Sequence, residues 1–302
     1  MSIKIRPLSF AMGAQITGVD LAQPLSADNW AAIHGAFLQH QVLVFPGQKL
    51  TPEQTIAFAG RFGALDDHRE DPGYTLPGYP EIYMLGNFLR DDGRMSKTKD
   101  VGRGWHTDHS YTVRPTKISM LYCQSVPAVG GTTMFANGYM AYDDLSEKMK
   151  SLIDDLEGIH DFAWYFTAPS HYPKPPIRSL DRIREKYPAV AHRLVRVHPE
   201  TGRKALYLSE ALISGIVGLT WNESRGLLDS LHRHALRDEY TYRHTWTPGE
   251  LLFWDNRCTM HQAPADYVHN ANDPRFMHRL TVLGDRSGRF LDESLAEKAA
   301  IQ

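Results

Sequence analysis

The alternation of apolar and polar positions divides the chain into short strands and a few amphipathic helices. Ser26 precedes Trp30, Ile33, Phe37 and Leu38, which recur at helical spacing and leave one apolar face. Thr51-Pro52-Glu53-Gln54 is a capping box with proline at the first helical position, and it predicts a helix to about Phe62. Ser146 opens another helix through Met149, Leu152, Ile153 and Leu156, with Gly158 beyond its end. Thr220-Trp221-Asn222-Glu223 is a further capping box and leads into Leu227, Leu228, Leu231 and Ala235.

Between these helices lie short β-rich runs. Gln41–Phe45, Glu81–Leu85, Lys117–Gln124, Thr132–Ala136 and Arg279–Leu283 each read as a strand. Leu194–Val197 and Lys204–Leu208 flank Pro199-Glu200-Thr201-Gly202 and predict a hairpin. Tyr240–Trp246 and Leu251–Trp254, separated by Pro248-Gly249, predict a second one. Many short strands joined by turns, with a few helices outside, point to a β-sandwich or barrel rather than a doubly wound sheet. Residues 66–80, 87–104 and 167–191 carry charge, glycine or proline with neither period. Runs of that length within a compact chain are expected to act as lids over a site.

Composition narrows the function classes. The chain has 302 residues, a formal net charge of −2, 42% hydrophobic and 23% charged residues, so a single globular domain over 1–302 is expected. The near-neutral balance gives no reason to expect a nucleic-acid partner. No run approaches the roughly 20 apolar residues of a membrane span, so no membrane partner is expected either. Met-Ser-Ile-Lys-Ile-Arg-Pro lacks the apolar region of a secretory signal, and the expectation is a cytoplasmic protein. Only 2 Cys (Cys123 and Cys258) stand against 15 His, which excludes a disulfide scaffold or a Cys-rich zinc site and leaves nitrogen and oxygen donors for any metal.

The chemistry-bearing residues fall in two places. In Trp105-His106-Thr107-Asp108 an extended backbone would turn His106 and Asp108 to one side. Trp254-Asp255-Asn256-Arg257 leads to His261, which would complete two imidazoles and one carboxylate. That facial set leaves open positions and suits non-haem Fe(II). A dicarboxylate bound there needs a cation at its far end, and arginine's planar fork binds a carboxylate in a bidentate manner. Arg275 and Arg279 are an even number of residues apart, hence on one face of a strand.

These residues resemble the taurine/2,4-dichlorophenoxyacetate dioxygenase family of Fe(II)- and 2-oxoglutarate-dependent oxygenases. The likeness runs from Gly13-Ala14-Gln15-Ile16-Thr17-Gly18-Val19-Asp20-Leu21 through Val44-Phe45-Pro46-Gly47-Gln48 and Trp105-His106-Thr107-Asp108. It continues in Gly130-Gly131-Thr132-Thr133 and Trp254-Asp255-Asn256-Arg257 and closes at Met277-His278-Arg279. The resemblance implies a mainly β fold, a double-stranded β-helix (jelly-roll) with flanking helices. It implies His106, Asp108 and His261 as catalytic iron ligands, with Fe(II), 2-oxoglutarate and O2 as cofactor and cosubstrates. Thr133 would hydrogen-bond 2-oxoglutarate, Arg275 would pair with its distal carboxylate, and Arg279 would face an anionic prime substrate. The segment His269–Pro274 is longer than the family pattern, so the resemblance alone does not fix which arginine takes which role. His68 sits where taurine-type enzymes contact substrate, and Tyr165 and Phe166 in Phe162-Ala163-Trp164-Tyr165-Phe166 form a bulkier, more aromatic wall.

The implied activity is oxidation, by hydroxylation, of a small organic acid such as a sulfonate, sulfate ester, phenoxy acid or other carboxylate, coupled to decarboxylation of 2-oxoglutarate to succinate and CO2. The implied assembly is a homodimer or homotetramer. A zinc-dependent metallohydrolase could use the same three ligands, but it would need neither Thr133 nor the two arginines. A non-catalytic jelly-roll binding protein would have no use for the ligands and the arginines together. Asp255 and Arg257, charged residues in an apolar run, are expected to form a buried pair.

Overall fold

Val42-Leu43-Val44-Phe45 has no polar face, and the strand it forms is buried on both sides. In the computed structural model, which describes residues 3–69, 73–90, 93–168, 179–270 and 272–292, this strand (β3, Val42–Phe45) lies inside an eight-stranded sheet. With strands numbered in chain order, the sheet runs β1 (Lys4–Pro7), β2 (Ala14–Thr17), β3, β14 (Leu251–Asp255), β6 (Ile118–Ser125), β16 (Phe276–Val282), β5 (Tyr79–Gly86), β4 (Thr75–Leu76). Its neighbours are antiparallel except for β2 with β3. A three-stranded sheet faces it, in the order β13 (Thr241–His244), β7 (Thr133–Asn137), β15 (Thr259–Gln262).

Phe135 of β7 packs with Val44, Leu121, Leu252 and Trp254 of the large sheet, so the two sheets close on one apolar core in the jelly-roll manner. Helices α1 (Ala27–His40) and α2 (Pro52–Gly60) cover the other face of the large sheet. There the Phe253 ring lies 5.2 Å from Phe37 and 5.9 Å from Phe58. On the far side of the small sheet stand α3 (Gly138–Asp143), α4 (Glu147–Ile153) and α7 (Trp221–Ala235), sharing a core with Ala136 and Met260. Beside them is a four-stranded sheet, β12 (Ile213–Ile216), β8 (Glu157–His160), β9 (Val190–Arg193), β17 (Arg289–Phe290), and the hairpin β10 (Val195–Val197) with β11 (Lys204–Leu206). Two short helices, α5 (Phe162–Thr167) and α6 (Leu180–Lys186), complete the list.

The predicted helix starts are where the capping residues put them. Thr51 and Thr220 each form both hydrogen bonds of a capping box, and Ser26 and Ser146 accept from Asn29 and Met149 backbone N–H groups. Helix α2 stops at Gly60, two residues short of expectation, because Arg61 already bonds back to the Phe58 and Ala59 carbonyls. The predicted hairpin at Pro248-Gly249 is corrected. β13 pairs with β7 and β14 pairs with β3 and β6, so the turn between them carries the chain from one sheet to the other. Glu250 holds this corner by accepting hydrogen bonds from the Thr247 N–H at 2.8 Å and His244 Nε2 at 3.2 Å.

The three predicted lids are not structureless. Residues 66–80 contain β4 and the start of β5, 87–104 contain a 3-10 turn at Lys97–Asp100, and 167–191 contain α6 and the start of β9. Residues 70–72, 91–92 and 169–178 of these segments lie outside the described residues. Among the described residues no helix is long and apolar enough to cross a membrane.

Candidate active site

His106 and His261 face each other across a two-residue bridge. The His106 N–H donates to the His261 carbonyl at 3.0 Å and the His261 N–H returns the bond at 2.8 Å. This reciprocal pairing attaches residue 106 to the edge of β15, and it brings the two imidazole centroids within 4.2 Å. The chain then leaves extended geometry, and Asp108 sits in the turn that follows. The donor atoms of His106, Asp108 and His261 lie within 4.8 Å of one another. Asp108 Oδ1 is 3.7 Å from His106 Nε2, and its Oδ2 is 3.5 Å from His261 Nε2.

The surroundings prepare these three side chains as donors. His106 Nδ1–H donates to the Gly104 carbonyl at 2.8 Å, which leaves the Nε2 lone pair toward Asp108. Burial, followed by the nearby His106 and Arg279, holds His261 well below the usual imidazole range, so the ring is neutral. Burial alone would raise Asp108, but Arg279 and then the two histidines outweigh it and hold the carboxyl well below its usual range. The result is one ionised carboxylate and two available imidazole nitrogens converging on one point. That set fits a divalent iron.

Asp108 is fixed by residues the sequence patterns did not single out. Ser119 on β6 donates to its Oδ2 at 2.5 Å, and Asn256 accepts the Asp108 N–H at 3.3 Å. The same Asn256 donates to Ser119 Oγ at 3.0 Å and accepts from Trp254 Nε1 at 3.1 Å. The signal for Asn256 was its place in Trp254-Asp255-Asn256-Arg257, whereas Ser119 has no local signature. The expected Asp255–Arg257 pair is present and buried, with Arg257 Nε and Nη2 donating at 2.8 and 2.7 Å.

Thr133 opens β7 and Arg275 immediately precedes β16. Arg275 Nη2 donates to Thr133 Oγ1 at 3.3 Å and Arg275 Nε to the Gly131 carbonyl at 3.0 Å. Gly86 makes this approach possible, because a Cβ there would stand 1.7 Å from the Arg275 carbonyl oxygen. Arg279 lies four residues further along, roughly 13 Å at strand rise. Its Nη2 is 3.3 Å from Asp108 Oδ1, and its Nε and Nη2 have no hydrogen-bond partner among the described residues. Both arginines, Thr133 and the three donors line one cleft, as the even spacing of the arginines required. Arg103 and Tyr267 line it too, and neither was singled out from the sequence.

His68, Tyr165 and Phe166 stand outside that cleft lining. The His68 ring lies 5.0 Å from Tyr83. Tyr165 and Phe166 pack on Phe162, whose ring stacks on Tyr111 at 4.5 Å and meets Tyr187 at 5.3 Å. Tyr111 follows Asp108 by three residues, so this aromatic cluster begins beside the metal-donor turn. His109 has a positive φ of 51° and forms a hydrogen bond with Thr116 Oγ1 at 3.1 Å.

Comparison with known proteins decides what this arrangement is. Residues 4–281 match the family described as Taurine catabolism dioxygenase TauD, TfdA family. The chain belongs to this family. It is therefore an Fe(II)- and 2-oxoglutarate-dependent dioxygenase, using O2 as its oxidant. An (S)-phenoxypropionate/alpha-ketoglutarate-dioxygenase of Sphingobium herbicidovorans is 35% identical over 289 residues, covering 93% of this chain and 95% of its own. An alkylsulfatase of Acinetobacter baylyi is 31% identical over 288 residues, 94% of this chain and 86% of its own. Among solved structures, AAD-2 in complex with Mn(II) and N-oxalylglycine matches with a TM-score of 0.79 at 32% identity, over 95% of this chain and 99% of that one. A taurine dioxygenase from Burkholderia xenovorans matches with a TM-score of 0.78 at 33% identity, over 97% of both chains. These relatives lend no support to a zinc hydrolase or a non-catalytic binding protein.

Proposed function

We propose that this dioxygenase hydroxylates a small organic anion with an apolar or aromatic body, of the sulfonate, sulfate ester, phenoxy acid or carboxylate class. In this reading His106, Asp108 and His261 hold Fe(II), Thr133 and Arg275 hold the distal end of 2-oxoglutarate, and Arg279 draws in the anionic group of the substrate. Bound there, Fe(II) would supply the site for O2 activation, with O2 as the oxidant and 2-oxoglutarate as the electron donor that leaves as succinate and CO2.

The protein's own share is positional. Arg275 is pre-aimed by Gly131 and Thr133, so its fork loses little freedom on meeting a carboxylate. The Thr133 hydroxyl already accepts Trp246 Nε1–H at 3.0 Å, which leaves its own proton to donate. Arg279 Nη2 stands 3.3 Å from Asp108 Oδ1, and its Nε and Nη2 make no hydrogen bond among the described residues, so an arriving anion would be held next to the metal donors. The contact of Arg275 with Thr133, against that of Arg279 with Asp108, is the observation that carries this division of roles. Leu85, Val101, Leu121, Ala263 and Tyr267 give the cleft apolar lining, which supports a substrate with an apolar body. The names of the phenoxypropionate, 2,4-dichlorophenoxyacetate and sulfate ester relatives support the same class.

The same reading takes residues 1–302 as one catalytic domain, with 66–80, 87–104 and 167–191 as its lids. Thr98, Gly102 and Arg103 of the second segment line the cleft and support that role. The family resemblance supports a homodimer or homotetramer in the cytoplasm, and light scattering on the purified protein tests the assembly. Succinate release with Fe(II), ascorbate and 2-oxoglutarate tests the substrate class across phenoxy acids, alkyl sulfates, aliphatic carboxylates and taurine. Aryl and longer alkyl acids are expected to exceed taurine, and a preference for taurine overturns the proposed class. Full activity in His106→Ala or Asp108→Ala overturns the ligand assignment.

A further inference from the structure

A second cavity, of about 360 Å³, opens behind the segment that carries Asp108. Its charged rim is already paired. Arg193 binds Asp155 at 2.8 Å and Lys204 binds Asp154 at 2.6 Å. Arg196, also in the lining, makes no ion pair among the described residues, and its Nη1 is buried without a hydrogen-bond partner. Tyr207 is 2% exposed, and its hydroxyl has only the Arg196 guanidinium beside it among the described residues. The Arg196 guanidinium carbon lies 5.0 Å from the Tyr207 ring centroid, so cation and phenol stand together. Burial pushes the phenol up to about 12, so at neutral pH it remains a proton donor. Val195 and Val197 add apolar lining.

A guanidinium whose buried nitrogen meets no carboxylate is left without its counter-charge, and the neighbouring phenol, itself a donor, does not supply one. We propose that this cavity is a second binding site, for a monocarboxylate with a short apolar tail, held by Arg196 and Tyr207. The paired rim selects charge. Asp154 and Asp155 would repel the second charge of a dianion, whereas a single carboxylate balances Arg196.

His192 and Ser287 of this cavity's lining, and residues close to the lining in sequence, also hold both ends of the segment bearing Asp108. Leu208, next to Tyr207, accepts the Thr107 hydroxyl proton at 3.2 Å, and Ser209 Oγ accepts the Thr107 N–H at 3.3 Å. At the other end His192 Nε2 donates to the Thr112 carbonyl at 2.9 Å. The Ser287 and Gly288 N–H groups donate to the Val113 carbonyl at 3.0 and 3.1 Å. A carboxylate seated on Arg196 and Tyr207 therefore stiffens the frame on which residues 107–113 hang.

Calorimetric titration of the purified enzyme with sodium propionate tests the site, and hydrogen exchange of residues 107–113 tests the coupling. Arg279→Gln is included so that propionate at the catalytic cleft does not confuse the reading. Propionate binding is expected to persist in Arg279→Gln and to weaken about tenfold or more in Arg196→Gln and in Tyr207→Phe, since a charge-assisted hydrogen bond is lost. Tyr207→Phe keeps the ring packing, so the comparison stands even if Arg196→Gln folds poorly. Unchanged affinity in the cavity variants overturns the site. Propionate binding that leaves exchange at 107–113 unaltered overturns the coupling.

Discussion

Ser119 Oγ donates a 2.5 Å hydrogen bond to Asp108 Oδ2, linking the large sheet to the turn that carries the carboxylate. Ser119 is itself held by Asn256 Nδ2 at 3.0 Å. The pair fixes one oxygen of Asp108 and leaves Oδ1 facing His106 Nε2. Removing the hydroxyl frees the carboxylate to rotate without touching any metal donor. In Ser119→Ala the affinity for Fe(II) is expected to fall about 10- to 100-fold, the usual effect of losing such a support. Fe(II) titration of succinate release reads this directly. An unchanged iron requirement means that Ser119 does not orient Asp108.

Arg275, just before β16, and Arg279 within it can be separated by what each variant spoils. Arg275→Lys keeps the charge but loses the fork anchored on Gly131 and Thr133. Its KM for 2-oxoglutarate is expected to rise about tenfold or more, with the KM for the organic anion little changed. Arg279→Lys should do the reverse. Steady-state kinetics with each substrate varied in turn decides the matter, and the opposite pattern exchanges the two roles.

His106, Asp108, His261, Arg275 and Arg279 were legible because each sits in a short contiguous run whose residue types suggest their chemistry, whereas Thr133 was named only through the family resemblance. The residues that support them were not legible. Ser119 acts through its register with Trp254 on β14, a pairing between strands far apart in sequence. Arg103 and Tyr267 reach the cleft from irregular segments with no period to read. Helix starts were legible because caps are local chemistry. The turn at Pro248-Gly249 misled for the same reason: its residues favour a tight turn, but only the burial of β14 between β3 and β6 shows that the chain changes sheet there. Strand β8, just four residues long, has Gly158 inside it, which had served as a helix stop.

Stability should fall as the medium is acidified below about pH 6.5, the usual imidazole value. His192 and His232 are both buried, and burial lowers each to about 4. The unfolded chain takes up protons at both sites near pH 6.5, whereas the folded chain does so only near 4. Neutral burial therefore stabilises fully above the unfolded value, and the benefit is lost as pH drops between the two. Each proton taken up on unfolding contributes a slope of about 1.4 kcal/mol per pH unit. Urea denaturation at pH 7, 6 and 5 measures the slope. His232→Gln should flatten it by one proton's worth, and an equally steep slope in that variant removes His232 from the account.

Asp255 shows how much of the fold near the site rests on one buried charge. It is 1% exposed, accepts Nε and Nη2 of Arg257 at 2.8 and 2.7 Å, and accepts His198 Nε2–H at 3.0 Å. Burial opposes its ionisation, but Arg257 and then His198 prevail and hold the carboxyl well below its usual range. Asp255→Asn keeps the shape and leaves Arg257 largely buried with only Glu200 as an acidic partner. Breaking one side of a buried pair costs about 3 kcal/mol or more, and that loss is expected at pH 7 in urea denaturation. The sign fixes the pH dependence. A depressed carboxyl stabilises fully above its unfolded value of about 3.9, and the benefit fades as pH falls toward its folded value. The wild-type and variant curves should therefore converge only under acid. A difference below about 1 kcal/mol at pH 7 would put this pair with the weakly contributing ion pairs of the surface. The turn leading from Asp255 into β15 and His261 would then owe its shape to packing and to hydrogen bonds on its backbone, such as Thr259 Oγ1–H to the Asp255 carbonyl at 2.7 Å.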